Sequence, residues 1–242
     1  MQGDRYEGWS AQHGDLEPSR LVRGWLRGVQ ALARGPLRRV PPDALSALGV
    51  LTGAGAVAVA VAGVPGAAVA LVVLTGVLDG LDGAVALATG RARPLGAVVD
   101  AMADRLTDLA LAGVLLALGG TPALVVAWAA LVLLHEYLRA RANAAGMHGP
   151  GAVTPAERPT RIALVAVCAL GAALAPAGTP VTGWGWGDVG AVGGLAVGAA
   201  GLLQLAVAVA RGLAGPTSSA TMPADSSTSG NPPPGCEEPP TR

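Results

Sequence analysis

With 242 residues, 52% of them hydrophobic and only 13% charged, and a mean hydropathy of +0.51, the sequence is too apolar for an ordinary soluble domain. Sixteen basic residues, all arginine, balance sixteen acids, so no net positive field exists to gather nucleic acid. What remains is a membrane protein, with 36 glycines and no phenylalanine, whose small-residue helices can pack closely in lipid.

Residues 1–18 are mixed and polar, without a basic stretch leading into an apolar run, so they read as a flexible N-terminus and not as a cleaved signal peptide. Over 19–40, Leu21, Trp25, Val29 and Leu32 alternate at helical spacing with Arg20, Arg23, Arg27 and Arg34, which predicts an amphipathic juxtamembrane helix on an anionic lipid surface. A solvated basic arm is the competing reading, because Gly24, Gly28 and Gly35 weaken the helix. Six apolar stretches follow, at about 43–62, 65–81, 95–118, 122–142, 159–178 and 189–211, each near the length that spans a bilayer. The expected fold is therefore all-α and integral to the membrane, with six transmembrane helices forming one unit over 41–212. The connections near 62–64, 119–121 and 179–188 contain no arginine, whereas the other side collects Arg20 to Arg39, Arg91, Arg93, Arg139, Arg141, Arg158, Arg161 and Arg211. Positive-inside asymmetry then places both termini in the cytoplasm, with the chain in the cell membrane. The tail 213–242, rich in proline, serine and threonine, lacks apolar periodicity and is expected to be disordered. Cys168 and Cys236 make neither a disulfide framework nor a metal site.

Five acids interrupt the second and third spans. Asp79 and Asp82 are three apart, and Asp100, Asp104 and Asp108 are four apart, so each set lies on one helical face. An ionised carboxylate near lipid is costly unless it is paired, solvated or bound to a cation. Oxygen donors from two helices without histidine or cysteine favour Mg²⁺ or Mn²⁺, and four carboxylates suit two ions. Gly83 and Gly96 flank the set and allow a phosphate-bearing ligand to approach the backbone. An acid cluster satisfied by Arg91, Arg93 and Arg105 is the alternative, at a larger desolvation cost than neutral residues would carry. His135 and Glu136 in the fourth span form no metal spacing with another histidine.

The spacing of Asp79, Asp82, Gly83, Ala86, Leu87, Gly96, Asp100 and Asp104 resembles the D-x2-D-G-x2-A-R-x8-G-x3-D-x3-D motif of the CDP-alcohol phosphotransferases, with Leu87 where that family has arginine. The resemblance extends from about residue 20 to 212. Pro42, Asp43, Ser46 and Gly49 resemble the family's opening of the first span, although a proline start with Asp43 as cap explains them equally well. Tyr137 to Arg141, Glu157 to Arg161 and Asp104-Arg105-x2-Asp108 resemble the actinobacterial phosphatidylinositol phosphate synthases.

The resemblance implies a phospholipid-synthesising enzyme that moves a phosphatidyl group from CDP-diacylglycerol to an alcohol with release of CMP, often as a homodimer. It implies that Asp79, Asp82, Asp100 and Asp104 hold two Mg²⁺ or Mn²⁺ ions, with Asp104 also the general base. Asp43, Ser46, Gly83, Ala86, Arg91 and Gly96 border the CDP-lipid, Arg91 standing in for the arginine missing at Leu87. Arg139, Arg141, Arg158 and Arg161 face an acceptor phosphate, with inositol phosphate ahead of glycerol phosphate. Topology alone also places arginine at such helix ends. An inactive homologue that binds CDP-lipid or metal as a membrane scaffold is the rival reading.

Overall fold

The computed structural model describes residues 28, 31–32, 35–147 and 154–214. Among them are six long helices and no strand: α1 (Pro42–Val61), α2 (Pro65–Ala88), α3 (Pro94–Ala117), α4 (Pro122–Ala144), α5 (Arg158–Leu174) and α6 (Trp186–Ala214). The expected juxtamembrane helix lies mostly outside the described residues, as do the N-terminal stretch 1–18 and the tail from 215 onward. Its last residues, Pro36–Arg39, form a single 3-10 turn, because the ring of Pro36 removes a donor and crowds the preceding turn.

Proline and glycine punctuate the helices. The first five begin with proline at one of the first two positions, where the missing N–H has no intrahelical partner to lose. The first four end in a glycine of positive φ, at Gly63, Gly90, Gly119 and Gly146. Each of these is followed by a backbone bond that reaches back over the last turn, such as Val64 N–H to Val59 carbonyl at 2.9 Å and Arg91 N–H to Ala86 carbonyl at 2.9 Å. Helix α5 stops at Leu174 without such a glycine. Pro176 excludes helical backbone at Ala175, which takes φ −136° and ψ 73°.

Helix α1 lies against α2 and α3, α2 against α5, and α6 against α4 and α5. The apolar core between them centres on Val72, Leu111, Val114, Leu115, Trp128 and Val165. Close approach of α6 depends on its glycines: a Cβ at Gly194 would stand 2.6 Å from the Trp128 indole nitrogen. One at Gly190 would stand 2.6 Å from Leu115 Cδ2, so alanine at either site would force the helices apart.

Four helices, α1, α2, α4 and α6, are long and apolar enough to cross a membrane, with mean hydropathies of 2.0, 1.8, 1.5 and 2.0 over their best windows. Helix α3 does not meet that measure because it carries Asp100, Asp104, Arg105 and Asp108, and α5 has only 17 residues. Helix α2 runs on to Ala88, seven residues past the end set by hydropathy, because Asp79 and Asp82 interrupt the apolar pattern without interrupting the backbone.

Candidate active site

The acids of α2 and α3 meet near the ends of those helices that carry the arginine-rich connections. One carboxylate oxygen each from Asp79, Asp100 and Asp104 lies within 4.8 Å of the others, a separation suited to oxygen ligands of a divalent cation. Asp82 is buried beside them and is held differently: Ser46 Oγ on α1 donates to its Oδ2 at 2.6 Å, and the Gly83 N–H donates to its Oδ1 at 2.6 Å. Ser46, Gly49, Thr75, Asp79, Asp82 and Thr107 line a cleft of about 180 Å³ with Arg158 at its edge. The donor set therefore fits a hard cation: carboxylates alone, from two helices, of which Asp79 and Asp82 line the cleft.

Helix α5 closes the site from the other side. Arg158 pairs through Nε with Asp79 Oδ2 at 3.1 Å, and its Nη atoms contact Asp104 and Thr107. One turn on, Arg161 is almost fully buried, with Nη1 donating to Asp108 Oδ2 at 2.8 Å and Nη2 to Glu136 Oε1 at 2.5 Å. Arg105 is shared more loosely, 3.4 Å from Asp108, 3.6 Å from Asp104 and 3.7 Å from Glu136. Arg139 grips Glu157 with both Nη atoms, at 3.1 and 2.6 Å. Burial alone would raise the Glu157 carboxyl, but the Arg139 fork and the Thr154 N–H hold it below its ordinary value. Arg141 is exposed and makes no ion pair among the described residues. Two of the four arginines expected to face an acceptor, Arg158 and Arg161, thus share one web of carboxylates with Arg105, Arg139 pairs with Glu157 beside it, and Arg141 stands outside it.

Apart from this set, Arg93 reaches from the start of α3 to form an ion pair with Asp43 near the start of α1. Its Cγ would lie 3.2 Å from a Cβ at Gly96. Gly83 faces open space, Ala86 is half-buried, and Leu87 is 73% exposed. Arg91 is exposed without an ion pair among the described residues.

Glu136, Glu157, Thr107 and the His135–Thr154 contact of 3.1 Å were not part of the sequence-derived site. An acid in an apolar run was the one available signal for Glu136. A larger cleft between α4, α5 and α6 is lined mainly by Trp128, Leu131, Val132, Leu164 and Val197, takes in His135, Thr160 and Arg161, and holds no carboxylate.

A helical membrane-type bundle in which carboxylates of two helices converge beside a cleft, under an arginine of a third, defines a class. Over residues 39–209 the chain matches the family described as CDP-alcohol phosphatidyltransferase, and it belongs to that family. It is similar to the archaetidylinositol phosphate synthase of Aeropyrum pernix, 37% identical over 108 residues, covering 44% of this chain and 55% of that protein. It is likewise similar to the phosphatidylinositol phosphate synthase of Mycobacterium marinum, 37% identical over 150 residues, 57% of this chain and 62% of the relative. The chain thus spans somewhat more than half the length of these relatives. Among solved structures, it resembles the Mycobacterium tuberculosis phosphatidylinositol phosphate synthase with CDP-DAG bound. The TM-score is 0.59 and the identity 28%, over 77% of this chain and 94% of that one. The same enzyme in complex with manganese and citrate gives a TM-score of 0.60 at 29% identity, over 75% of this chain and 88% of that one.

Proposed function

We propose that this chain transfers a phosphatidyl group from CDP-diacylglycerol to a phosphorylated alcohol, with inositol phosphate the favoured acceptor and glycerol phosphate next, and releases CMP. The observation that carries the reading is the convergence of Asp79, Asp100 and Asp104 under Arg158, in a chain of this family. All six helices cross the bilayer, with the charges of α3 and α5 facing the cleft instead of lipid, both termini in the cytoplasm of the cell membrane, and the basic segment 19–40 on the membrane surface. A homodimer is the expected assembly.

Asp79, Asp82, Asp100 and Asp104 hold two Mg²⁺ or Mn²⁺ ions. Bound there, such ions neutralise the donor diphosphate and stabilise the departing CMP. Asp43, Ser46, Gly83, Ala86, Arg91 and Gly96 border the nucleotide end of the donor, where the bare Gly83 surface lets a diphosphate approach. Arg139, Arg141, Arg158 and Arg161 attract the acceptor phosphate. The acceptor oxygen attacks the β-phosphorus as Asp104 takes its proton, and the bond to CMP breaks with its electron pair leaving on CMP. No covalent enzyme intermediate is needed.

The deciding experiment is CMP release from CDP-diacylglycerol by purified protein, with Mg²⁺ or Mn²⁺, across inositol phosphate, glycerol phosphate and unphosphorylated alcohols. Release that depends on a phosphorylated acceptor supports the reading. CDP-lipid binding without release under any acceptor would favour a scaffold.

A further inference from the structure

Arg161 carries two acids. Its pair with Asp108 is sealed between α5 and α3, with side chains only 6% and 4% exposed. Glu136, from α4, places a second carboxylate on the same guanidinium and is 20% exposed. Its other oxygen is 3.7 Å from Arg105, whose side chain is 24% exposed. The inner acid is sealed from solvent, whereas the outer one is partly open.

Several guanidinium donors here lack a well-placed acceptor, although Asp104 Oδ1 and Asp108 Oδ1 are themselves buried without a hydrogen-bond partner among the described residues. Arg105 meets its three carboxylates only at 3.4–3.7 Å, beyond the length of a charge-assisted hydrogen bond. Arg105 Nη1, Arg139 Nε and Arg161 Nε are buried without a hydrogen-bond partner among the described residues. In this arrangement the Glu136 carboxylate meets Arg161 at 2.5 Å and Arg105 only at 3.7 Å, so its contact with the second guanidinium is loose. A phosphate monoester presents three terminal oxygens and nearly two charges in a similar volume.

We infer that Glu136 occupies the position of an acceptor's phosphate between Arg105 and Arg161, and that an incoming phosphate must displace it. Glu136 is then a specificity-determining residue. In the absence of acceptor it keeps the two guanidiniums compensated. It also sets a threshold that a dianionic phosphate passes and a neutral hydroxyl compound does not. The inference rests on the proposed reading that the acceptor is phosphorylated and that its phosphate is taken by arginines of α4 and α5.

The test is Glu136→Gln in the full chain, which keeps the side-chain volume and removes the charge. With inositol phosphate as acceptor, KM should fall at least fivefold while KM for CDP-diacylglycerol moves less than twofold. A purely structural role predicts the reverse, a raised acceptor KM with lowered thermal stability. An unchanged or raised acceptor KM overturns the inference. Glu136→Asp, which withdraws the charge by one methylene, should shift KM in the same direction by less, and it serves if the glutamine variant does not fold. Thermal melting with inorganic phosphate and no donor gives a second readout: both variants should be stabilised at lower phosphate than the parent. Unphosphorylated inositol turned over by the parent as readily as inositol phosphate would overturn the premise and the inference together. A parent that needs the phosphate, with no tightening in either variant, overturns the inference alone.

Discussion

Arg158 of α5 and Asp79 of α2 are joined by a 3.1 Å contact, and the same guanidinium reaches Asp104 on α3. One cation therefore ties three helices together at the mouth of the cleft. In the proposed reading it has two duties, which oppose each other in one variant. Arg158→Ala removes a charge-assisted contact to the acceptor phosphate, worth about 1.5–3 kcal/mol, so acceptor KM should rise tenfold or more. It also frees Asp79 and Asp104 from a competing cation, so half-activation by Mg²⁺ should come at equal or lower concentration. Steady-state kinetics against acceptor, CDP-lipid and metal separate these effects. Equal rises in all three constants would reduce Arg158 to a structural tie.

The carboxylate cluster makes a stricter prediction. Asp100→Asn and Asp104→Asn each leave an isosteric side chain and remove one anionic oxygen ligand, and Asp104 also loses its capacity to take a proton. Each should abolish CMP release and leave the melting temperature in detergent within a few degrees, since neither carboxylate is sealed in the core. Chelation of divalent ions should stop the parent in the same way. Undiminished release from either variant would remove the metal site from the mechanism.

The two acidic faces were legible because covalent spacing sets helical phase: residues three or four apart must share a face. What faces them was not. Arg158 lies 79 residues beyond Asp79, and only tertiary packing brings α5 over α2 and α3. Glu136 stood alone in an apolar run, where the sequence announces a cost without naming the partner that offsets it. The arginines of 139–161 were readable as a basic set, but their individual partners depend on side-chain reach: Arg139 turns to Glu157, Arg161 to Asp108 and Glu136, and Arg141 to none of these. Hydropathy likewise ended α2 too early, at the aspartates, where the backbone continues to Ala88.

Glu157 precedes α5, outside the spans, without a side-chain cap hydrogen bond, and its carboxyl is held below its ordinary value by Arg139 against the opposing effect of burial. A depressed carboxyl contributes stability above its unfolded pKa and loses it as pH falls through the folded value. The parent should therefore lose melting temperature below about pH 4.5, and Glu157→Gln should start lower and show a shallower decline over the same window. Parallel curves for the two proteins would show that the Arg139–Glu157 pair adds nothing to stability.

Topology gives an independent check. Reporter fusions at Ser10, Met147 and Ser218 should read cytoplasmic and one at Thr182 external, because loop arginines segregate completely to one side. This prediction requires α3 and α5 to cross the membrane despite their charges. An external signal at Met147 would remove a crossing and separate α5 from the cleft that Arg158 closes.

In the motif the sequence resembles, Leu87 takes the position of an arginine, and two nearby arginines differ in how the fold uses them. Arg91 is exposed and pairs with nothing among the described residues. Arg93 is anchored by Asp43 and lies against Gly96, both proposed to border the nucleotide. An apolar side chain cannot neutralise a diphosphate, so a guanidinium already held beside that site is the better replacement. Arg93→Ala should raise KM for CDP-diacylglycerol by the equivalent of one charged hydrogen bond, about 1.5–3 kcal/mol, and Arg91→Ala, at the edge of the proposed donor site but without an anchor, should raise it by less. Leu87→Arg, which restores the motif, should lower the same constant and partly rescue Arg93→Ala. A large effect from Arg91→Ala with none from Arg93→Ala would transfer the role to Arg91. Silence from all three variants would mean that this stretch of the chain does not face the donor.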